Sequence, residues 1–312
     1  MKLVTQRNNP FITALLLSFL GIVFPVHLQS QTAKPEQSPT ASELQRHYQE
    51  GEKIAYKMTG VNQGRQRTIR YEARAEGLVK KAPSSAFFEE FAWPELRLNG
   101  QPFLLSPDSL AFREPLCLTS GYTLTVPDLS KVQPILIGPI TDLLAFYADT
   151  QLAMGQKGLA RAGDHVYVKN GVPSSWADGT YIVLGQDSID FDITLQSIDQ
   201  KTNIATMIVR HVPPAQTQIK FPADWMQNSV SDTANNWVEV EKRQDGKFAA
   251  QVGKETFEAN IKIALATGRV ISATMDNPVV VMERDCNDAA LSDCGEPARF
   301  SIRRQITLEA QP

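Results

Sequence analysis

Three stretches hold the side chains best suited to chemistry: Gly163-Asp164-His165, the loop Ser174-Ser175-Trp176-Ala177-Asp178-Gly179, and Asp187-Ser188-Ile189-Asp190-Phe191-Asp192. The last puts three carboxylates within six residues. With His165 and His211 near, such a group could hold a hard cation or act as general acid and base. On a strand, however, Asp190 and Asp192 share one face about 7 Å apart, and Arg210 is available to neutralise one of them. A solvated sheet face with turn aspartates is the simpler reading. Trp176 either stacks on a sugar or apolar ligand or anchors its loop in the core. The candidate ligand-binding set is therefore Trp176, Asp178, Asp164, His165, Asp190 and Asp192. His211, on an apolar strand face, reads as a satisfied, half-buried residue.

No signature of nucleophilic, metal-dependent or phosphate-binding catalysis is present. There is no Gly-x-Ser-x-Gly elbow, no His-Glu-x-x-His, no Gly-x-x-x-x-Gly-Lys-Ser/Thr and no Cys-x-x-Cys. No catalytic residue, metal ligand or cofactor is assigned. Cys286 and Cys294 flank a polar, loop-like segment and are expected to form a structural disulfide. Cys117, in Pro-Leu-Cys-Leu-Thr, is left as a buried, inert thiol.

The elements that carry these residues follow an export signal. Lys2 and Arg7 precede an apolar run from Phe11 to Phe24, interrupted only by Thr13, Ser18 and Gly21. That run is shorter than the roughly 18–25 residues of a membrane span and fits the core of a signal peptide over residues 1–30, cleaved near Ser30. Residues 31–41 are polar, carry two prolines and read as a flexible linker. The expected location is periplasmic or secreted, with no transmembrane segment after the leader. The net charge of −3 becomes about −5 once Lys2 and Arg7 leave. Without a basic run, nucleic acid is not an expected partner.

The body, residues 42–312, is expected to be mainly β. Ser42 is suited to cap a short helix through Glu50. Ile54, Tyr56 and Met58 alternate with polar residues, and the same period returns at Ile69–Glu76, giving a first hairpin. Asn99-Gly100 marks a tight turn, and Phe87, Phe88, Phe91 and Trp93 are core. The spacing of Ile140, Leu143, Leu144, Tyr147, Ala148 and Leu152 predicts one central amphipathic helix at about 140–154, with Pro139 in its first turn and Gly155 at its end. Strand composition recurs at 165–169, 180–185, 189–196, 204–212, 237–242, 257–265, 270–275, 279–283 and 300–308. These hairpins build a large antiparallel sheet, an incomplete barrel or a sandwich, with the helix packed on it. The body is one unit or two lobes, 42–138 and 156–312, joined by the helix.

Two registers can be written from the alternation. Leu195 opposes Ala205, Ile193 opposes Met207, Phe191 opposes Val209, Asp190 opposes Arg210 and Thr194 opposes Thr206. Phe257, Ala259, Ile261, Ile263 and Leu265 face Ile271, Ala273 and Met275 across a Thr267-Gly268 turn.

The leader, the helix Ile140–Met154 and the final hairpins over 257–283 together resemble the periplasmic half-barrel proteins of the outer-membrane lipoprotein carrier type. The resemblance is architectural. It implies a curved sheet closed by helices and non-enzymatic binding of a small apolar or amphipathic ligand. A secreted hydrolase or carbohydrate-active protein using the carboxylates in 164–192, and a structural or interaction module without a site, are the alternatives.

Overall fold

The computed structural model describes residues 44–82, 86–119, 121–125, 127–169, 174–176, 181–186, 190–212, 219–243 and 245–312. The leader and linker lie outside the described residues. Among the described residues the architecture is mainly β, as the hairpin pattern requires: one large antiparallel sheet and a single long helix.

Its first layer is a meander of β1 (Lys53–Gln63), β2 (Thr68–Lys81), β3 (Phe87–Leu98) and β4 (Gln101–Pro102), with β5 (Glu114–Leu116) also on β3. Ile54, Tyr56 and Met58 stand opposite Gly77, Ala75 and Ala73, so one apolar face is continuous. Asn99 and Gly100 both take positive φ, 48° and 82°, at the β3–β4 turn, the conformation that the Asn-Gly pair tolerates.

After a short helix α1 (Pro107–Ala111) and the long helix α2 (Pro134–Met154) come β6 (His165–Val168), β7 (Ser174–Trp176), β8 (Tyr181–Gln186), β9 (Asp190–Asp199) and β10 (Ile204–Val212). The chain ends in β11 (Trp237–Lys242), β12 (Phe248–Glu255), β13 (Phe257–Ala264), β14 (Val270–Cys286) and β15 (Ala298–Gln311). β15 lies between β1 and β14, so strands from both sides of α2 share one ladder.

β14, at 17 residues, is where the sheet forks. Its first part, through Asp276, pairs with β13 and leads on to β10, β9 and β6. Its second part, from Val279, pairs with β12 and leads to β11, β8 and β7. The sequence suggested two strands here, 270–275 and 279–283. Pro278 caused that division, but it sits between the two partners, where a missing N–H disturbs the ladder least.

The sheet curls around α2. Along β3-β2-β1-β15-β14-β13-β10, both end strands reach the helix through side chains, Glu89 to Tyr147 and His211 to Asp149. Laid flat, those strands would lie about 29 Å apart at about 4.8 Å each, whereas a helix is only about 10–12 Å across. α2 is accordingly buried on nearly every side, with Leu136, Ile140, Leu143, Phe146 and Tyr147 fully covered. An amphipathic helix lying on a sheet was expected; a helix enclosed by one is found. It also begins six residues early, at Pro134 rather than Ile140, with Pro139 inside it. Proline is well accommodated at the first turn, and Pro134 takes that place.

The helix expected from Ser42 through Glu50 does not form over its described part, 44–50. That segment instead packs on the β13–β14 turn: His47 N–H donates to Thr267 O at 2.9 Å, and a Cβ on Gly268 would strike Gln45 O at 2.2 Å. The β9–β10 hairpin forms with the expected faces but in a different register. Met207 opposes Leu195, Val209 opposes Ile193, His211 opposes Phe191 and Arg210 opposes Asp192, with a bulge between Thr206 and Met207. A slip of two keeps every side chain on its face, so alternation alone could not separate the two registers. In the last hairpin, Ala259 and Ile261 oppose Met275 and Ala273 as expected, but Val270 rather than Ile271 meets Ile263 after a register shift.

Candidate functional site

The carboxylates that the sequence brought forward lie along β6, β9 and the turn before them. Asp164 accepts from the backbone N–H groups of Ala160 and Arg161 at 2.8 and 2.6 Å, a turn-capping role. His165 Nε2 lies 2.5 Å from Asp192 Oδ1, and Tyr167 Oη donates to Asp190 Oδ2 at 2.7 Å. Arg210, on the next strand, holds Glu258 at 2.6 Å. These groups run as a charged ladder over an outer face, each with a partner. Asp178 and Asp187 lie outside the described residues. For Trp176 only the backbone, in β7, is described. Among the described residues, no group of three or more His, Cys, Asp or Glu is placed to hold a metal ion. No helix among them is long and apolar enough to cross a membrane.

Cys286 and Cys294 are joined in a disulfide, with Cα atoms 4.0 Å apart. Cys117 is a buried free thiol whose Sγ donates to Phe87 O at 3.2 Å.

The densest polar chemistry is internal and fixes α2. Asp142 accepts from Tyr71 Oη at 2.6 Å and faces Arg304 Nη1 at 3.4 Å. Burial raises the Asp142 carboxyl above its ordinary range, and Arg304 and then Tyr71 oppose the rise. Seven residues on, two helical turns along the same side, Asp149 Oδ1 lies 3.2 Å from His211 Nε2. The imidazole is stacked on Phe257 at 4.1 Å and meets the Phe191 ring edge-on. Tyr147 Oη donates to Glu89, which also takes Arg46 Nε at 3.0 Å, while Arg46 Nη2 holds Glu52 at 2.7 Å. Burial raises Glu89, opposed by Arg46. Each buried charge is paired, so these contacts clamp the helix at set points along its length.

At the N-terminal end of α2 the surface changes character. Ser106 caps α1, accepting from Ser109 N–H at 3.2 Å, with Pro107 at the first helical position. Gln133 ties this loop to α2: its Oε1 accepts from Ser106 N–H at 2.7 Å, and its own N–H donates to Ser109 Oγ at 3.0 Å. Leu105 points inward, but Leu104 is 90% exposed and Leu110 45%. Phe103, Phe112, Ile135 and Ile137, close by in the sequence, are partly buried against the core. The result is an exposed apolar rim on a loop hydrogen-bonded to the start of α2.

No protein family, curated protein or solved structure matches this chain.

Sequence reasoning missed the rim. The signal was the run Phe103-Leu104-Leu105 directly before the Ser-Pro helix start. A loop that turns into a helix cannot bury three consecutive apolar side chains, and one of them had to remain in water.

Proposed function

We propose that this chain is an exported, non-enzymatic binding protein of the cell envelope that takes an apolar or amphipathic ligand at the rim formed by Leu104, Leu110 and the start of α2. The observation that carries the proposal is Leu104, nine-tenths exposed on a loop pinned by Gln133 rather than folded back on the body. Covering two such side chains with an acyl chain is worth about 3 kcal/mol at the usual area coefficient. The basic and apolar leader supports export, as does a disulfide that needs an oxidising compartment to form.

The test is titration of residues 31–312, disulfide intact, with a fluorescent long-chain fatty acid. Saturable binding, competed by unlabelled fatty acid, is expected. Leu104→Ser together with Leu110→Ser should weaken it about tenfold or more without lowering the unfolding temperature. Absence of saturable binding, or unchanged binding by the double variant, would overturn the proposal. Fusion of residues 1–41 to a reporter active only outside the cytoplasm tests export separately.

A further inference from the structure

Away from the helix, three side chains stand in a row on adjacent strands of the second branch of the fork. Glu239 on β11 is directly opposite Gln251 on β12, and Gln251 is directly opposite Glu283 on β14. Cross-strand neighbours of this kind have their Cβ atoms about 4.5–5.5 Å apart. Gln251 Nε2 donates to Glu283 Oε2 at 2.7 Å, and Arg65 Nη1 lies 3.4 Å from Glu283 Oε1. Glu283 is therefore the end of the row that pairs with Arg65, and its bond fixes which way the Gln251 amide points.

The other end does not balance if Glu239 is a carboxylate. Glu239 is only 2% exposed. Among the described residues, its Oε2 and the Gln251 Oε1 are both buried without a hydrogen-bond partner. Two bare acceptors side by side would be a double desolvation cost, and one carboxylic O–H between them removes both. We infer that Glu239 keeps its proton inside the folded sheet and donates it to Gln251 Oε1, so that Glu239, Gln251 and Glu283 form a proton-dependent clasp across β11, β12 and β14.

The charges facing Glu239 agree with this. On its own strand its same-face neighbours are Trp237 and Glu241. From β12 come Ala249 and Gly253, from β14 Val281, Glu283 and Asp285, and from β8 the residue opposite in register is Leu184. The nearby cations are already engaged, Arg65 with Glu283 and Arg243 with Asp285 at 2.8 Å. Burial first, then Glu241 and Glu283, push the Glu239 carboxyl from 4.5 up to about 8. Because the folded value lies above the unfolded one, the stabilisation is complete below about 4.5. It declines while the unfolded chain alone is ionised, and it is lost once pH passes about 8. β8 and β7 hang on β11, so ionisation of Glu239 loosens the whole outer end of this branch.

The experiment compares the full protein with Glu239→Gln, which keeps a donor toward Gln251 but cannot ionise. In infrared difference spectra at pH 7, the wild type should show a protonated-carboxyl C=O band that the variant lacks. In hydrogen exchange corrected for intrinsic chemistry, amides of residues 181–186 and 237–242 should lose protection in the wild type as pH rises through 8. The variant should hold it. The wild-type folding constant should fall relative to that of the variant by up to tenfold per pH unit below 8. An ionised Glu239 at pH 7, or the same pH profile in both proteins, overturns the inference. Should Glu239→Gln fail to fold, carbon-13 NMR titration of the wild-type side chain decides alone, and a midpoint in the ordinary carboxylate range refutes the clasp.

Discussion

The hydroxyl of Tyr71 donates to Oδ2 of Asp142, and the ring that carries it packs against Gly60 on the neighbouring strand, so close that a Cβ there would stand 2.0 Å from Cε1. One tyrosine thus joins the sheet to the enclosed helix, and the absence of a side chain at Gly60 allows it to do so.

Gly60→Ala should cost about 1–3 kcal/mol by driving Tyr71 off Asp142. The same change made together with Tyr71→Ala should cost much less. A double-mutant cycle in urea measures the coupling; additive effects would show that Gly60 and Tyr71 act independently.

Asp142→Ala leaves Arg304, which is 3% exposed, facing a vacated position. A loss of about 3–5 kcal/mol is expected, as for other buried pairs broken from one side. Asp142→Asn, which still accepts from Tyr71, should lose less. Equilibrium unfolding of the two variants gives the order, and the reverse order would contradict the role assigned to the carboxylate.

Glu114, fully buried on β5, has both carboxyl oxygens without a partner among the described residues. Burial holds its carboxyl well above 4.5, and the indole N–H of Trp93, near it but outside good hydrogen-bond geometry, offsets only part of the rise. The sign matches that of Glu239. Stability from the neutral acid is full below the unfolded value and drains away as pH rises above it. Unfolding free energy measured from pH 4 to 8 should fall less steeply in Glu114→Gln than in the wild type.

Replacing Cys286 and Cys294 together by serine should lower stability by about 2–3 kcal/mol, the loop-closure contribution expected for so short a ring. The loss should appear in the branch built on β11 and β12, because Cys286 packs with Val238, Val240 and Phe248. Hydrogen exchange that rises equally around α2 would contradict that assignment.

What the sequence made legible was the facing of residues. Alternation placed Phe191, Ile193 and Leu195 with Met207 and Val209 on one side, and the structure keeps them there. It could not supply the register, since a shift by two residues leaves every face intact. Helical spacing found α2 but not its enclosure. Asp142 and Asp149 each have a buried partner contributed by a distant strand, Tyr71 and Arg304 for one and His211 for the other. Such partners arise from topology and have no local signature. β3 went unassigned for a similar reason: Glu89 breaks its apolar face, and its partners Arg46 and Tyr147 lie far away in the sequence. At the candidate site, Asp164, Asp190 and Asp192 stood out by composition and are engaged with neighbours, while the exposed leucines carry no charge to draw notice.

Insertion of β15 between β1 and β14 also sets a timetable. β1 must wait for β15, far later in the sequence, before its second edge is covered. Contacts of such long sequence separation slow assembly. During synthesis the early hairpins can exist only as an open, sticky fragment, which a chaperone would have reason to hold.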